Sequence, residues 1–246
     1  MDESTRKIRE YFGQHHRAYT ESARHARGAD LEELLAALDL APGSQVLDAA
    51  CGTGHTALAA AARGYKVTGM DMTPEMIDEG RGLAAQRQLA VDWVVGDVHG
   101  LPWEADALDG VTCRRAAHHF QDLSRFLEEC HRVIKSGGRV GISDMTAPQG
   151  AIGDVNRVER LRDDSHYRAR SANEWAALMA GAGLNLLYLR VSEEAMTPEE
   201  WLSPVSPNSP QGRQALEFLQ SPQLAHGIIV AGHFIKYRLV AVAEKP

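Results

Sequence analysis

The stretch Asp48-Ala-Ala-Cys-Gly-Thr-Gly-His55 decides the fold, because it joins a short apolar strand to an alanine-rich helix. The strand is predicted over residues 45–49 and the helix over residues 55–63. Gly52 and Gly54 let the backbone turn tightly and let a ligand approach without a Cβ atom in the way. A strand, a glycine-rich turn and a helix in this order form the first half of a βαβ unit.

The same alternation continues along the chain. Further strands are predicted over residues 65–70, 91–95, 108–113, 139–143, 184–191 and 234–243, and helices over residues 74–83, 123–134 and 171–182. The last of these helices begins with a capping box formed by Ser171 and Glu174. We therefore predict an α/β fold, a Rossmann-like doubly wound seven-stranded sheet with helices on both faces. The sheet is mostly parallel, with an antiparallel last strand after a proline-rich insertion.

Length and composition favour a single globular domain. The chain has 246 residues, of which 44% are hydrophobic and 24% charged, values typical of globular proteins. Within this one domain we predict four parts, which are a helical cap (residues 1–40), a cofactor-binding core (41–145), a lid (146–170) and an insertion before the last strand (197–227).

Charge and cysteine content narrow the partners. The formal net charge is −7 and no long basic run is present, which favours a small-molecule substrate over nucleic acid or a membrane. The three cysteines form no CxxC pair, and the first residues carry no apolar leader. These features predict a cytoplasmic protein with reduced thiols. A homodimer is possible on this evidence from the sequence.

Acidic residues end three successive predicted strands. Asp48, Asp71 and Asp97 follow strands one, two and three, and the carboxyl ends of such strands border one pocket. The glycine spacing, with Asp71 about twenty residues on, also matches a dinucleotide fingerprint. Three acids, however, would repel a pyrophosphate by about 1 kcal/mol or more each. They suit a cationic nucleoside without phosphate, although any one aspartate alone is as readily a loop cap.

Five runs of sequence carry a family resemblance. They are VLDAACGTGHTALAAAARG (46–64), VTGMDMTPEMI (67–77), GDVHGLPW (96–103), LDGVTCRRAAHHF (108–120) and LEECHRVIKSGGRVGISD (127–144). Together they resemble the class I S-adenosylmethionine (SAM) dependent methyltransferases. They are similar in particular to a small bacterial branch related to the C-methyltransferases of ubiquinone and menaquinone biosynthesis. The resemblance covers roughly residues 20–190.

The resemblance implies SAM as the cofactor and assigns roles around its methionine and ribose parts. Gly52 and Gly54 would shape the loop that holds the methionine part, and Asp48 would face the ammonium. Asp71 would accept hydrogen bonds from the ribose hydroxyls, with Met72 packing on the adenine.

The remaining implied contacts follow strands one, three and four. Asp97 would accept from the adenine amine, with Val98 beside it. Arg114 would lie near the methionyl end of the cofactor, although a solvated arginine at a strand end is an equally fair interpretation. Many family members have glycine where this chain has Ala50, so the backbone freedom of the loop is slightly narrowed here.

Four histidines are candidate catalytic residues: His118 and His119 after strand four, His25 in the predicted cap and His166 in the predicted lid. They can be packed or loop-capping residues, or a general base that is neutral near pH 7. A metal site with Asp144 or Asp164 is the third interpretation. The absence of an HxxxH or HxH pair among the four disfavours it, so no metal is predicted.

The predicted function is transfer of the methyl group of SAM to a small-molecule acceptor, with S-adenosylhomocysteine as the other product. Alignment of acceptor, methyl carbon and sulfur supplies most of the rate enhancement, so a histidine base is optional. Three alternatives stay open: a quinone-type C-methyltransferase, a non-catalytic SAM-binding protein and an NAD-dependent dehydrogenase.

Overall fold

The computed structural model of the protein describes residues 28–203, 205–221, 224 and 227–246, together with residues 9, 12, 13, 20 and 26. The helices are α1 (Ala29–Leu38), α2 (His55–Ala62), α3 (Pro74–Arg87), α4 (Leu123–Val133), α5 (Ile152–Arg162), α6 (Ala172–Gly181), α7 (Pro198–Leu202) and α8 (Pro210–Leu219). The strands are β1 (Gln45–Ala49), β2 (Lys66–Asp71), β3 (Val91–Val95), β4 (Leu108–Arg114), β5 (Ile134–Thr146), β6 (Asn185–Met196), β7 (Ile229–Val230) and β8 (His233–Glu244).

The strands form one sheet in the order β3-β2-β1-β4-β5-β8-β6. Strands β1 to β5 pair in parallel, whereas β8 lies antiparallel between β5 and β6. This confirms the predicted doubly wound sheet with an antiparallel last strand. The two-residue strand β7, which pairs with β8, was not predicted.

Two strands are longer than the sequence pattern indicates. β5 extends to Thr146 and β6 to Met196, because β8 supplies backbone partners along both of them. The predicted lid also contains a regular helix, α5, although its sequence shows no clear periodicity. The capping box of α6 is confirmed, since Ser171 Oγ accepts from the Glu174 N–H and the Glu174 side chain accepts from the Ser171 N–H.

Apolar side chains cover both faces of the sheet. One cluster joins β4, β5 and β8 to α4 and α6 through residues such as Phe126, Ile142 and Trp175. The leucines of α1 pack on the opposite face, where Leu35 and Leu38 are almost completely buried. The sheet is therefore held from both sides, and its carboxyl-end edge stays available for a site.

Trp93 on β3 lies against three glycines of neighbouring elements. A Cβ atom built on Gly54, Gly69 or Gly80 would come within 2.3, 2.7 or 2.6 Å of the indole ring. Contacts this short do not occur in packed proteins. Gly54 also has a φ of +80°, a region that glycine adopts without a steric cost. Its lack of a side chain is thus required by packing as well as by the turn.

Gly54→Ala is expected to lower the free energy of unfolding by about 2–4 kcal/mol, through the clash with Trp93 and the left-handed backbone. Gly52→Ala is the matched control, because its φ is +54° but no atom lies within 4 Å of the added Cβ. It should cost about 1 kcal/mol. Urea unfolding measures both, and in the Gly54→Ala background Trp93→Leu should recover part of the loss. Equal losses in the two glycine variants would contradict the packing role.

Candidate functional site

A cavity of about 390 Å³ lies at the carboxyl ends of β1, β2 and β4. Seven of the predicted cofactor-binding residues line it: Ala50, Gly52, Asp71, Met72, Asp97, Val98 and Arg114. Asp48 and Gly54 are not on its wall. The other lining residues include Cys51, Thr53, His55, Thr56, Thr73, His99, Arg115, His119 and Phe120. The rule that strand ends border one pocket therefore located the cavity correctly.

Asp71 holds the glycine loop in place. Its Oδ2 accepts from the Gly52 N–H at 2.9 Å and its Oδ1 accepts from the Thr73 N–H at 2.9 Å. Burial raises the pKa of this carboxyl, although these hydrogen bonds oppose the shift. The carboxylate thus links the loop after β1 to the start of α3 and borders the cavity at the same time.

Ala50 adopts a left-handed backbone with φ of +52°. For a residue with a Cβ atom this conformation costs roughly 1 kcal/mol. The sequence predicted that alanine in place of glycine restricts the backbone at position 50. The structure shows that Ala50 nevertheless adopts the left-handed conformation that glycine favours. Strain of this kind is common at binding loops.

Asp48 lies behind the loop, with 1% of its surface exposed. Its Oδ2 accepts from the Ala57 N–H at 3.0 Å, and its Oδ1 accepts from Thr112 Oγ1 at 2.9 Å. Burial raises the pKa of Asp48 to about 7. In this structure the carboxyl therefore joins α2 to β4, and its predicted approach to an ammonium stays a prediction.

Asp97 lies at the rim of the cavity with 55% of its side chain exposed. Its Oδ1 accepts from the His99 N–H at 3.0 Å and lies 2.8 Å from His99 Nδ1. This is the loop-capping contact considered for a single aspartate. The adjacent Val98 is buried on the cavity wall.

Arg114 is buried, so the interpretation as a solvated strand-end residue is wrong. Its Nε and Nη2 donate to the two oxygens of Asp30 at 2.7 and 3.0 Å. Arg115 donates to the same carboxylate at 3.2 and 2.7 Å, and Ser143 Oγ donates at 3.0 Å. Despite burial, these partners hold the pKa of Asp30 well below its usual range. The two arginines follow Asp30 by 84 and 85 positions in the sequence, so no local pattern indicates this cluster.

Three of the four candidate histidines come together. His118 and His119 lie in the short 3₁₀ helix Ala117–His119, with ring centroids 4.0 Å apart, and His166 lies 5.6 Å from His118. All three are buried. Only His119 of this group is on the wall of the cavity, where its ring contacts Phe12. His25 lies outside the described residues.

The partners of His118 determine where its proton is. Its Nδ1 lies 2.6 Å from Asp144 Oδ1, and its backbone N–H donates to Asp144 Oδ2 at 2.8 Å. Burial opposes ionisation of Asp144, but His118 and the Met145 N–H nevertheless lower its pKa. A carboxylate only accepts hydrogen bonds. Nδ1 of His118 therefore carries a proton, which it donates to Asp144.

His119 and His166 are fixed in the same way by acceptors. His119 Nδ1 lies 2.9 Å from the Ser165 carbonyl, which requires a proton on Nδ1. His166 Nε2 lies 2.8 Å from Asn156 Oδ1. The Asn156 amide is oriented because its Nδ2 donates to two carbonyls and its Oδ1 accepts from the Ala169 N–H. His166 therefore carries its proton on Nε2.

Burial and the neighbouring His118 lower the pKa of His119 to about 4 and that of His166 to about 3. Both rings are therefore neutral at pH 7. Between these values and the ordinary pKa near 6.5, the unfolded chain binds protons that the folded chain does not. The stability that these two neutral histidines contribute is consequently complete above about pH 6.5 and is lost as the pH falls toward 4.

We expect the acid loss to be smaller when His166 is replaced. At pH 5 this ring alone removes up to about 2 kcal/mol of unfolding free energy relative to pH 7. His166→Gln should therefore lower the difference in unfolding free energy between pH 7 and pH 5 by about 1–2 kcal/mol. Urea unfolding at the two pH values measures it, with the exposed His233→Gln as the control. The same pH dependence in wild type and His166→Gln would contradict the assignment.

No described helix combines the length and the apolar character that crossing a bilayer requires. Among the described side chains, no group of three or more His, Cys, Asp or Glu is arranged to hold a metal ion.

Known proteins share this sequence pattern and this fold. Residues 47–142 match the protein family that is described as a methyltransferase domain. YcgJ of Bacillus subtilis (strain 168), an uncharacterized methyltransferase, is 35% identical over 172 residues, 69% of this chain and 68% of that protein. The demethylmenaquinone methyltransferase of Thermus thermophilus is 37% identical over 137 residues, 53% of this chain and 62% of that enzyme. The crystal structure of YcgJ has a TM-score of 0.78 at 26% identity, covering 88% of this chain and 98% of that chain.

Proposed function

Because the chain belongs to the class I SAM-dependent methyltransferases, we propose that it methylates a small-molecule acceptor and releases S-adenosylhomocysteine. The observation that carries the proposal is the cavity bounded by the Gly52 loop and the Asp71 carboxylate. Bound SAM supplies a methyl group that is activated by its attachment to a sulfonium. When the methyl group is transferred, the sulfur becomes the neutral thioether of S-adenosylhomocysteine.

The charges around the cavity fit this cofactor. Carboxylates of Asp71 and Asp97 border one part of the wall, while the guanidinium groups of Arg114 and Arg115 border another. Hydroxyl and amine donors of a nucleoside suit the carboxylates, and an amino-acid carboxylate suits the arginines. The position that a Cβ of Gly52 would occupy is open, so the backbone can approach a ligand closely.

The residues then have the following roles. Asp71 accepts from the ribose hydroxyls, Met72 and Val98 pack on the adenine, and Asp97 accepts from its amine. The loop Ala50–Gly54 holds the methionine part, and Asp48 acts on the ammonium from behind the loop. Arg114 lies at the methionyl end, where Asp30 fixes its side chain.

The acceptor binds on the His119 side of the cavity. His118, oriented by Asp144, takes the proton that the acceptor loses on methylation, and His119 contacts the acceptor from the wall. His166 keeps the neighbouring space uncharged near pH 7. His25, in the cap, stays a candidate catalytic residue. The support for this arrangement is that Asp144 orients the His118 ring, whose centroid lies 4.0 Å from that of His119 on the cavity wall.

The parts of the domain follow the same proposal. Residues 41–145 bind the cofactor, while the cap (1–40), the lid (146–170) and the insertion (197–227) enclose the acceptor. The lid is attached to the histidine segment, since the Tyr167 and Arg168 N–H groups donate to the His118 carbonyl at 3.0 and 2.8 Å. Motion of the lid would therefore be coupled to the position of His118.

Calorimetric titration of the purified protein with SAM, with NAD as the comparison ligand, tests the proposed cofactor. We expect micromolar affinity for SAM and no heat with NAD. Methyl transfer from labelled SAM to a library of small metabolites then tests the activity. Binding of NAD without binding of SAM would overturn the proposal.

A further inference from the structure

Two basic side chains near the start of β8 have no hydrogen-bonded acid among the residues that the structure describes. Lys236 and Arg238 are alternate residues of the strand and therefore point to the same face of the sheet. No hydrogen bond from either side chain to a described residue is found. Arg238 has 12% of its side chain exposed, and its shortest ion-pair distance is 4.0 Å, from Nε to Asp30 Oδ2. A guanidinium has five N–H donors, so a buried one without acceptors is costly.

The acids of this region are already engaged. Asp30 accepts from Arg114, Arg115 and Ser143. Glu159 accepts from Arg162 at 2.7 Å and from Trp201 Nε1 at 3.0 Å. The hydrogen bonds that these two acids accept therefore come from groups other than Lys236 and Arg238.

Two further acids lie near the pair, and neither accepts a hydrogen bond from it. Asp144 binds His118. Glu194 is the cross-strand neighbour of Lys236 on β6 and is exposed, and no ion pair joins the two. Among the described side chains around Lys236 and Arg238, positive charge thus exceeds negative charge.

Arg115 and Asp30 connect these two cations to the cavity. Arg115 lines the cavity and shares Asp30 with Arg238. Burial lowers the pKa of Lys236 to about 7, with Glu159 opposing the shift and Arg162, Arg238 and Arg115 reinforcing it. An anion placed here would favour the charged lysine and would supply the acceptors that Arg238 lacks.

We propose that Lys236 and Arg238 form an anion subsite for the acceptor, which is therefore an organic acid, a carboxylate or a phosphate ester, and not a neutral or cationic molecule. The inference rests on the proposed methyltransferase function. Arg115 completes the subsite on the side of the cavity. The shared chemistry is an oxyanion that accepts several N–H bonds from fixed cations.

The test is binding of small probes to the full chain saturated with S-adenosylhomocysteine. Benzoate and inorganic phosphate represent the two classes of oxyanion, whereas benzamide and benzylamine are the neutral and cationic counterparts of benzoate. We expect benzoate or phosphate to bind in the millimolar range and the other two probes not to bind. Preference for benzoate indicates a carboxylate acceptor, and preference for phosphate indicates a phosphate ester.

Lys236→Met and Arg238→Met should each weaken binding of the oxyanion at least tenfold, while Lys236→Arg retains it. Arg190→Gln, which removes an exposed arginine of β6, is the control and should have no effect. Calorimetry of S-adenosylhomocysteine in every variant reports cofactor binding separately. Absence of that binding in the wild type overturns the proposed function itself. Normal cofactor binding with no oxyanion binding, or with equal oxyanion binding in the methionine variants, overturns only the anion subsite.

Discussion

Replacement of Asp71 by alanine is expected to weaken SAM binding at least 100-fold. The substitution removes the carboxylate on the cavity wall that we propose accepts from the ribose hydroxyls, and hydrogen bonds to a charged group contribute about 1.5–3 kcal/mol each. It also leaves the N–H groups of Gly52 and Thr73 without their acceptor. The loop then loses the conformation that the cofactor needs. Calorimetric titration with SAM measures the change in Kd.

Two further variants separate the ribose contact from the position of the loop. Asp71→Asn keeps one acceptor oxygen and turns an amide toward one of the two N–H groups, so that intermediate weakening is expected. Asp97→Ala removes a half-exposed carboxylate whose oxygen caps its own turn, and about tenfold weakening is expected. Asp78→Ala, on the exposed side of α3, is the control for loss of a carboxylate.

Folding of the Asp71 variants can be checked independently of the ligand. Loss of Asp71 leaves the buried Thr73 N–H and the half-buried Gly52 N–H without an acceptor. A buried N–H without an acceptor costs about 1–3 kcal/mol, so the Asp71→Ala protein should unfold at a lower urea concentration but remain folded at low temperature. Undiminished SAM affinity in a folded Asp71→Ala protein would remove this carboxylate from the cofactor site.

The parts of the site that sequence predicted are those set by local geometry. A glycine turn after an apolar strand, and acids at successive strand ends, place Gly52, Asp71 and Asp97 without knowledge of distant contacts. Parallel strands bring their carboxyl ends to one edge whatever the remainder of the chain does. For this reason seven of the nine predicted cofactor residues lie on the cavity wall.

The parts that sequence did not predict depend on contacts between distant residues. In the sequence, Asp30 is an acid in the first turn of a helix, where it would interact favourably with the helix dipole. In the structure it is buried between Arg114 of β4 and Arg115 of the turn that follows. Gly54 reads as a ligand-loop glycine, but its Cβ position is closed by Trp93, 39 residues later. Neither pairing leaves a periodic or compositional signal in one sequence.

Strand lengths show the same limitation. The apolar residues of β5 predicted its central part, whereas its extension to Thr146 follows from the partner β8, which is almost a hundred residues away in sequence. This extension places Asp144 inside a regular strand, opposite Leu239. A carboxylate fixed by a central strand holds its partner His118 more rigidly than one on a loop tip can.

Asp144→Asn is therefore expected to lower kcat for methyl transfer by about 10²–10³, and His118→Ala by about 10²–10⁴. Asp144 accepts from three donors: His118 Nδ1–H, the His118 N–H and the Met145 N–H. An asparagine has one acceptor oxygen for these three donors. The His118 ring then loses either its orientation or its tautomer, while SAM affinity should stay within about threefold, because neither residue lines the cofactor cavity.

Asp144 acts by positioning the His118 ring, so a readout besides activity is needed. Nitrogen-15 spectra of the imidazoles should show the Nδ1–H tautomer of His118 in the wild type and its loss in Asp144→Asn. Asp163→Asn is the matched control, because Asp163 reaches His119 only through Ser165 Oγ and the Ser165 carbonyl still accepts from that ring. An unchanged His118 tautomer together with unchanged kcat in Asp144→Asn would show that the proton of the acceptor leaves by another route. The histidines would then serve only to pack the wall between the lid and the cavity.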